Sequence, residues 1–134
     1  MRIVLDTNVF LAGVATHGIC EGLLAICFRD HSVVLSEHIL GELSEHYVGK
    51  FKATDQQAAL VADTLRKHSE IVAPAAIPQS TCGDADDLPV LGTAVAGQAD
   101  YLITGDKQLL ELGNYQGLPI LSPREFYDRV RVSA

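Results

Sequence analysis

The chain is 134 residues long, 48% hydrophobic and 6% aromatic, with no Trp and one Met. That is one domain's length, enough to bury most of its apolar surface around a single core, and too apolar for a disordered or collagen-like chain. Seventeen Asp and Glu against ten Lys and Arg leave a formal charge of −7, which argues against a nucleic-acid binder built on a basic patch and against a membrane-surface protein.

Cys20, Cys27 and Cys82 are an odd set without Cys-x-x-Cys spacing. Neither a cysteine zinc knuckle nor a disulfide framework is expected, and a reducing cytoplasm is the simplest setting. Cys20 and Cys27 fall on one face of an expected helix, where Cys serves as a small core residue. Asp6 inside the first apolar run argues against a signal peptide, and no uninterrupted run of about 18 apolar residues is present to span a membrane.

In chain order, Ile3-Val4-Leu5 reads as a buried strand and Asp6-Thr7-Asn8 as its turn. Gly18 to Arg29 reads as a helix, with Ile19, Leu23, Ile26 and Cys27 at helical spacing. Val33-Val34-Leu35 is a second strand, and Ser36 stands as N-cap of a helix carrying Ile39, Leu40, Leu43 and Tyr47. Thr54 caps the next helix, which runs to about His68 with Ala58, Val61, Ala62 and Leu65 on one stripe. Ile71-Val72 is a short third strand, and Pro74 to Gly83 is a structureless segment. A helix begins near Asp87, because Pro89 fits only a first turn, and ends about Gln98. Tyr101-Leu102-Ile103 is a strand. A short helix with Leu109, Leu110 and Leu112 follows, then the strand Pro119-Ile120-Leu121. Ser122-Pro123-Arg124-Glu125 signals the start of a last helix, whose Phe126, Tyr127 and Val130 belong to the core or to an interface. Apolar strands alternating with helices give an α/β domain: a central, mostly parallel sheet of four to five strands between helical layers, as one unit over residues 1–134.

Sites in such sheets form beyond the carboxyl ends of the strands. Asp6 and Asp106 each follow a strand. Glu42 lies in the second turn of the helix leaving the second strand, and Asp84, Asp86 and Asp87 lead into the helix before the fourth. Acids gathered on one edge repel one another, and a hard divalent cation with oxygen ligands, Mg²⁺ or Mn²⁺, would relieve that repulsion. Some of these acids also have a plainer role: Asp106 and Asp87 could cap helices, and Glu42 could be a solvated helix residue, whereas Asp6 follows three buried apolar residues with no cap position waiting. Asn8 could be a turn residue or a donor that orients a carboxylate. His38, Glu42 and His46 form a stripe that could bind a transition metal, or simply a polar helix face.

At these residues the sequence resembles the PIN-domain family. The resemblance is carried by Val4-Leu5-Asp6-Thr7-Asn8-Val9, Leu35-Ser36-Glu37 with Glu42-Leu43, Asp84-Ala85-Asp86-Asp87, and Ala99-Asp100-Tyr101-Leu102-Ile103-Thr104-Gly105-Asp106-Lys107. It runs in order from Arg2 to about Phe126, and it is closest to the bacterial subgroup regarded as toxin components of toxin–antitoxin pairs, related to the VapC toxins. It implies a Mg²⁺- or Mn²⁺-dependent endoribonuclease with a protein antitoxin and a homodimeric state. Matched motif to motif, Asp6, Glu42, Asp87 and Asp106 would be the metal-binding acids, with Asp84 an extra member and Asp86 an alternative to Asp87. Asn8, Ser36 and Thr104 match supporting polar positions. Leu88 departs from the pattern, standing where relatives commonly have a polar residue, and so does Thr81-Cys82-Gly83. No arginine cluster marks an RNA surface: Lys50, Lys52, Lys107 and Arg124 are the candidate contacts, each with a solvated-face alternative. The rival is a catalytically silent PIN-like module that binds RNA or protein. A receiver domain would need an acid ending the third strand, where Ala73-Pro74 stand, and a haloacid-dehalogenase-type phosphatase would need a second Asp where Asn8 is.

Overall fold

The structure, a computed structural model, describes residues 1–15 and 18–133. Six strands form one sheet: β1 (Arg2–Leu5), β2 (Ser32–Leu35), β3 (Glu70–Ile71), β4 (Tyr101–Ile103), β5 (Asn114–Tyr115) and β6 (Leu118–Leu121). Their order is β3-β2-β1-β4-β6-β5, and only the β5–β6 pair is antiparallel. Among the described residues, seven helices connect the strands: α1 (Thr7–Ala15), α2 (Ile19–Asp30), α3 (Glu37–Phe51), α4 (Asp55–His68), α5 (Asp87–Ala96), α6 (Lys107–Leu112) and α7 (Pro123–Ser133).

The short strands read as unbroken apolar runs because both sheet faces are covered. Ile3, Val4 and Leu5 are all 0% exposed, although successive side chains of a strand point to opposite faces. Helix α5 packs on β1, β2 and β4, and α7 packs on α2 and β6. Phe126 of α7 is completely buried, which puts that helix's aromatic residue in the core. Cys27 is buried as well, and burial pushes its thiol up to about 12; all three cysteines are unbridged.

The expected helix starts are built as their sequences dictate. Ser36 Oγ accepts from Ile39 N (3.4 Å). Thr54 and Gln57 form a reciprocal capping box. Ser122 and Glu125 exchange the same pair of bonds at the start of α7, each 3.1 Å. Pro89 falls in the first turn of α5, where its missing N–H removes no helical bond. Three elements differ from the sequence reading, the first being a single 3-10 turn at Gln79–Thr81 within the segment read as structureless. Thr7 to Ala15, read at its start as a turn, is helix from Thr7 on. The sheet also gains β5, a two-residue hairpin partner of β6.

The topology positions the site. The chain runs from β1 outward to β2 and β3 on one side, and later to β4 and β6 on the other. The sheet's order therefore reverses between β1 and β4. At such a switch point the loops leaving the two strands' carboxyl ends diverge and open a crevice. Asp6 ends β1 and Thr104-Gly105-Asp106 follows β4; Asp6 N donates to the Ile103 carbonyl (3.0 Å) across this junction. No single helix among the described residues is long and apolar enough to cross a membrane.

Candidate metal centre

Asp6 is 5% exposed and is held by three donors. Its Oδ1 accepts from Thr7 N (2.7 Å), and its Oδ2 accepts from Thr104 Oγ1 (2.8 Å) and Asn8 Nδ2 (3.2 Å). Asn8 in turn accepts at Oδ1 from Gly105 N (2.7 Å), and Thr104 Oγ1 accepts from Asp106 N (3.0 Å). Asn8 and Thr104 thus tie the loop after β4 to the carboxylate after β1 and fix the direction in which Asp6 faces.

Asp106 does two things. Its Oδ1 caps α6, accepting from Gln108 N (2.8 Å) and Leu109 N (3.1 Å). Its carboxylate also belongs, with Asp84 and Asp87, to a trio whose ligand atoms lie within 4.8 Å of one another, an arrangement that could hold a metal ion. Capping and convergence, alternatives in the sequence, coexist here because a carboxylate has two oxygens. Asp87 caps nothing. It stands in the first turn of α5, is 6% exposed, and its Oδ2 is buried without any hydrogen-bond partner. Asp84 is exposed, with its Oδ1 accepting from Asp86 N (2.9 Å), so the backbone turns there and sends Asp87 inward. Asp86 stays at the exposed rim.

Glu42 reaches the same place from α3. A cavity of about 180 Å³ is lined by Asp6, Glu42, Asp84, Asp86, Asp87 and Asp106, together with Thr7, Asn8, Leu11, His46, Lys50 and Val90. The sequence separately suggested His38 and His46 as companions of Glu42. His38 Nε2 lies 3.0 Å from Glu42 Oε1, while His46 lines the cavity. Ser36 lies elsewhere: fully buried, its Oγ serves the N-terminus of α3 and accepts from Thr93 Oγ1 (2.8 Å) of α5. It joins the two helices that carry Glu42 and Asp87 and bonds neither acid. Thr93 was not legible as a participant, since its partner is distant in the chain. Lys50 joins the cavity wall, where the sequence offered it only as one of four exposed cations.

The electrostatics follow from burial and crowding. Burial pushes the Asp87 carboxyl up to about 7, with Asp106, Asp84, Asp6 and Glu42 adding repulsion. Burial also raises Asp6; the bonds from Thr104, Thr7 N and Asn8 oppose this and the charge of Asp106 reinforces it. Burial raises Glu42 against the pull of His38, and Asp6 and Asp86 raise it further while His46 lowers it. Three acids on different elements, all raised, form a site short of positive charge. Six carboxylates around so small a space, one with a buried oxygen bonded to nothing, suit a hard divalent cation with oxygen ligands. Thr7 Oγ1, also on this wall, is a second buried polar atom without a partner.

Known proteins share this architecture. A family model described as PIN domain matches residues 2–108. Among solved structures, the chain is similar to VapBC2 from Rickettsia felis bound to a DNA fragment from their promoter, at 18% identity and a TM-score of 0.62, covering 91% of this chain and 98% of that one. It is similar also to VapBC-1 from nontypeable Haemophilus influenzae, at 16% identity and a TM-score of 0.64, covering 92% of this chain and 99% of that one. At these identities the likeness is one of fold. No curated protein sequence matches the chain.

Proposed function

This chain belongs to the PIN-domain family, and we propose that it is a cytoplasmic, Mg²⁺- or Mn²⁺-dependent endoribonuclease, the toxin of a toxin–antitoxin pair. The observation that carries the reading is Asp87: its Oδ2 is buried without a partner, and the residue lines a cavity shared with the acids of three other chain segments. The family membership supports nuclease chemistry. The likeness to two VapBC structures supports a protein antitoxin.

Asp6, Glu42, Asp87 and Asp106 would hold the cation, with Asp84 at the rim. A divalent cation so bound acidifies water and offsets negative charge on a phosphodiester. The chain's own part is placement. Thr104 and Asn8 donate to Asp6 Oδ2 and Thr7 N donates to Oδ1, which keeps both oxygens in fixed directions. Asp106 spends Oδ1 on the α6 cap and leaves Oδ2 for the cavity. The Ser36–Thr93 bond keeps α3 and α5, and with them Glu42 and Asp87, at one separation. The acids would need no protein nucleophile beside them, because a bound cation would supply an acidified water for that role.

The test is incubation of the purified protein with single-stranded and structured RNA in Mg²⁺, in Mn²⁺ and in EDTA, beside Asp6→Asn. Cleavage is expected only with metal, and Asp6→Asn is expected to abolish it while thermal unfolding stays cooperative. Cleavage that persists in EDTA or in the variant would overturn the reading.

A further inference from the structure

Helix α3 carries His38, Glu42, His46 and Lys50 at successive steps of four residues. Each step of four residues advances about 6 Å and turns about 40° past a full revolution, so Glu42, His46 and Lys50 fall along one face while His38 lies about 120° round from Lys50. That face looks onto the acidic cavity, whose wall includes Glu42, His46 and Lys50. Lys50 is exposed and makes no ion pair among the described residues, although six carboxylates line the same cavity. Elsewhere arginines are committed: Arg29 to Asp30, Arg66 to Glu37 and Asp63, Arg131 to Asp128. An uncommitted cation therefore stands at the mouth of the site, in the last turn of a helix whose negative end suits it.

We propose that Lys50, with His46 beside it, binds a backbone phosphate of single-stranded RNA next to the bond that is cut; this rests on the metal-dependent ribonuclease reading. The cavity is small, about 180 Å³. That accommodates a cation and a phosphate group, and it leaves the base outside. Contact at this wall is thus with the backbone and independent of sequence. A lysine ammonium is a compact charge on a flexible stem, suited to a phosphate whose neighbours vary, and a neutral imidazole still offers one N–H donor. Among the side chains lining the cavity Lys50 is the lysine, and with His46 it supplies the N–H donors on the α3 side through which the wall can attract a polyanion.

The test uses the full chain, Mn²⁺ and a fluorescent, randomised pool of short single-stranded RNA. Anisotropy is read in Mn²⁺ before cleavage accumulates, across a salt series, and Mn²⁺ binding is measured separately by calorimetry. Lys50→Ala is expected to weaken RNA binding about fivefold and to flatten the slope of log affinity against log salt by about one. Lys50→Arg restores most of both, and Mn²⁺ binds all three proteins alike. Absence of heat with Mn²⁺ would overturn the metal-centre reading, and this inference with it. Normal Mn²⁺ binding with the same RNA affinity and slope in Lys50→Ala, or with no RNA binding by the wild type, would overturn the role of Lys50 alone.

Discussion

Asp87→Asn should make the metal-free protein more stable at alkaline pH while removing the metal's ability to stabilise it. Asn matches the protonated carboxyl in shape and carries no charge, so the substitution isolates the cost of ionising this buried group. In the folded protein the Asp87 midpoint sits at about 7, against 3.8 for an ordinary Asp. The folded state therefore holds its proton more tightly than the unfolded chain. The stability tied to that proton is fully present below about pH 4 and is lost as pH rises to about 7. At about 1.4 kcal/mol per unit, the full loss is up to about 4 kcal/mol, and screening by water through the exposed Asp84–Asp86 rim reduces this to about 1–2 kcal/mol. Spread over 134 residues at about 2.1 cal/mol/K per residue, that corresponds to a Tm gain of about 4–7 °C for Asp87→Asn at about pH 8.

The assay is thermal unfolding followed by circular dichroism in EDTA, at about pH 4.5 and about pH 8, repeated in saturating Mg²⁺. The variant's advantage should be small at the acidic pH and largest at the alkaline one. With Mg²⁺ the order should invert, because a ligand at 100 times its Kd adds about 2.7 kcal/mol to the wild type and little to a variant missing one of its ligands. An Asp87→Asn protein that is less stable at alkaline pH, or equally favoured at both, would refute the argument that Asp87 is a crowded, unpartnered carboxylate.

Two further substitutions test how the site is held. Thr104→Val removes the donor to Asp6 Oδ2 and the acceptor for Asp106 N. It should destabilise the fold by about 1–3 kcal/mol and weaken Mn²⁺ binding about 10- to 100-fold by calorimetry, with Thr104→Ser keeping most of both; unchanged Mn²⁺ affinity would refute its orienting role. Gly92→Ala would push a Cβ into the Ala75 carbonyl oxygen, where Ala75 N also bonds the Gly92 carbonyl (2.9 Å). A loss of about 1–3 kcal/mol is expected from the denaturation midpoint, and an unchanged midpoint would refute so close an approach of α5 to the preceding segment.

Much of the fold was legible because local chemistry and global packing agree. Ile3-Val4-Leu5, Val33-Val34-Leu35 and Tyr101-Leu102-Ile103 read as strands buried on both faces, and Ser36, Thr54 and Ser122 announce helices that do begin there. Helix α1 was not legible. Val9, Phe10, Leu11 and Val14 are apolar on nearly every side, so no helical stripe stands out, and Asp6-Thr7-Asn8 has the composition of a turn. Strand β5 is two residues long, below the length at which alternation carries a signal.

The site divides the same way. Asp6 and Asp106 could be placed from strand ends alone. Glu42 was less direct: its place in the second turn of the helix leaving β2 let it reach the same edge or stay solvated, and the family resemblance matched it to a metal-binding acid. Asp86 and Asp87 are chemically equal in sequence. The Asp84 turn separates them, sending Asp87 inward and leaving Asp86 at the rim. Ser36 acts at one remove: its buried hydroxyl caps α3 and bonds Thr93, joining the two helices that carry Glu42 and Asp87.

The charge of −7 argued against a polyanionic substrate only as a whole-chain average. Of the seventeen acids, six line one cavity, as does Lys50 among the ten Lys and Arg. The cavity therefore carries a formal charge of −5 with every acid ionised, and the rest of the molecule, with eleven acids against nine bases, a formal −2. One or two divalent cations would bring the cavity to −3 or −1, turning the most repulsive part of the surface into the one most able to take a phosphate. Burial raises Asp87 first and the neighbouring acids raise it further, and that repulsion is what a cation would relieve. The stability this chain gives up at alkaline pH without metal and its proposed affinity for metal are two readings of one electrostatic arrangement.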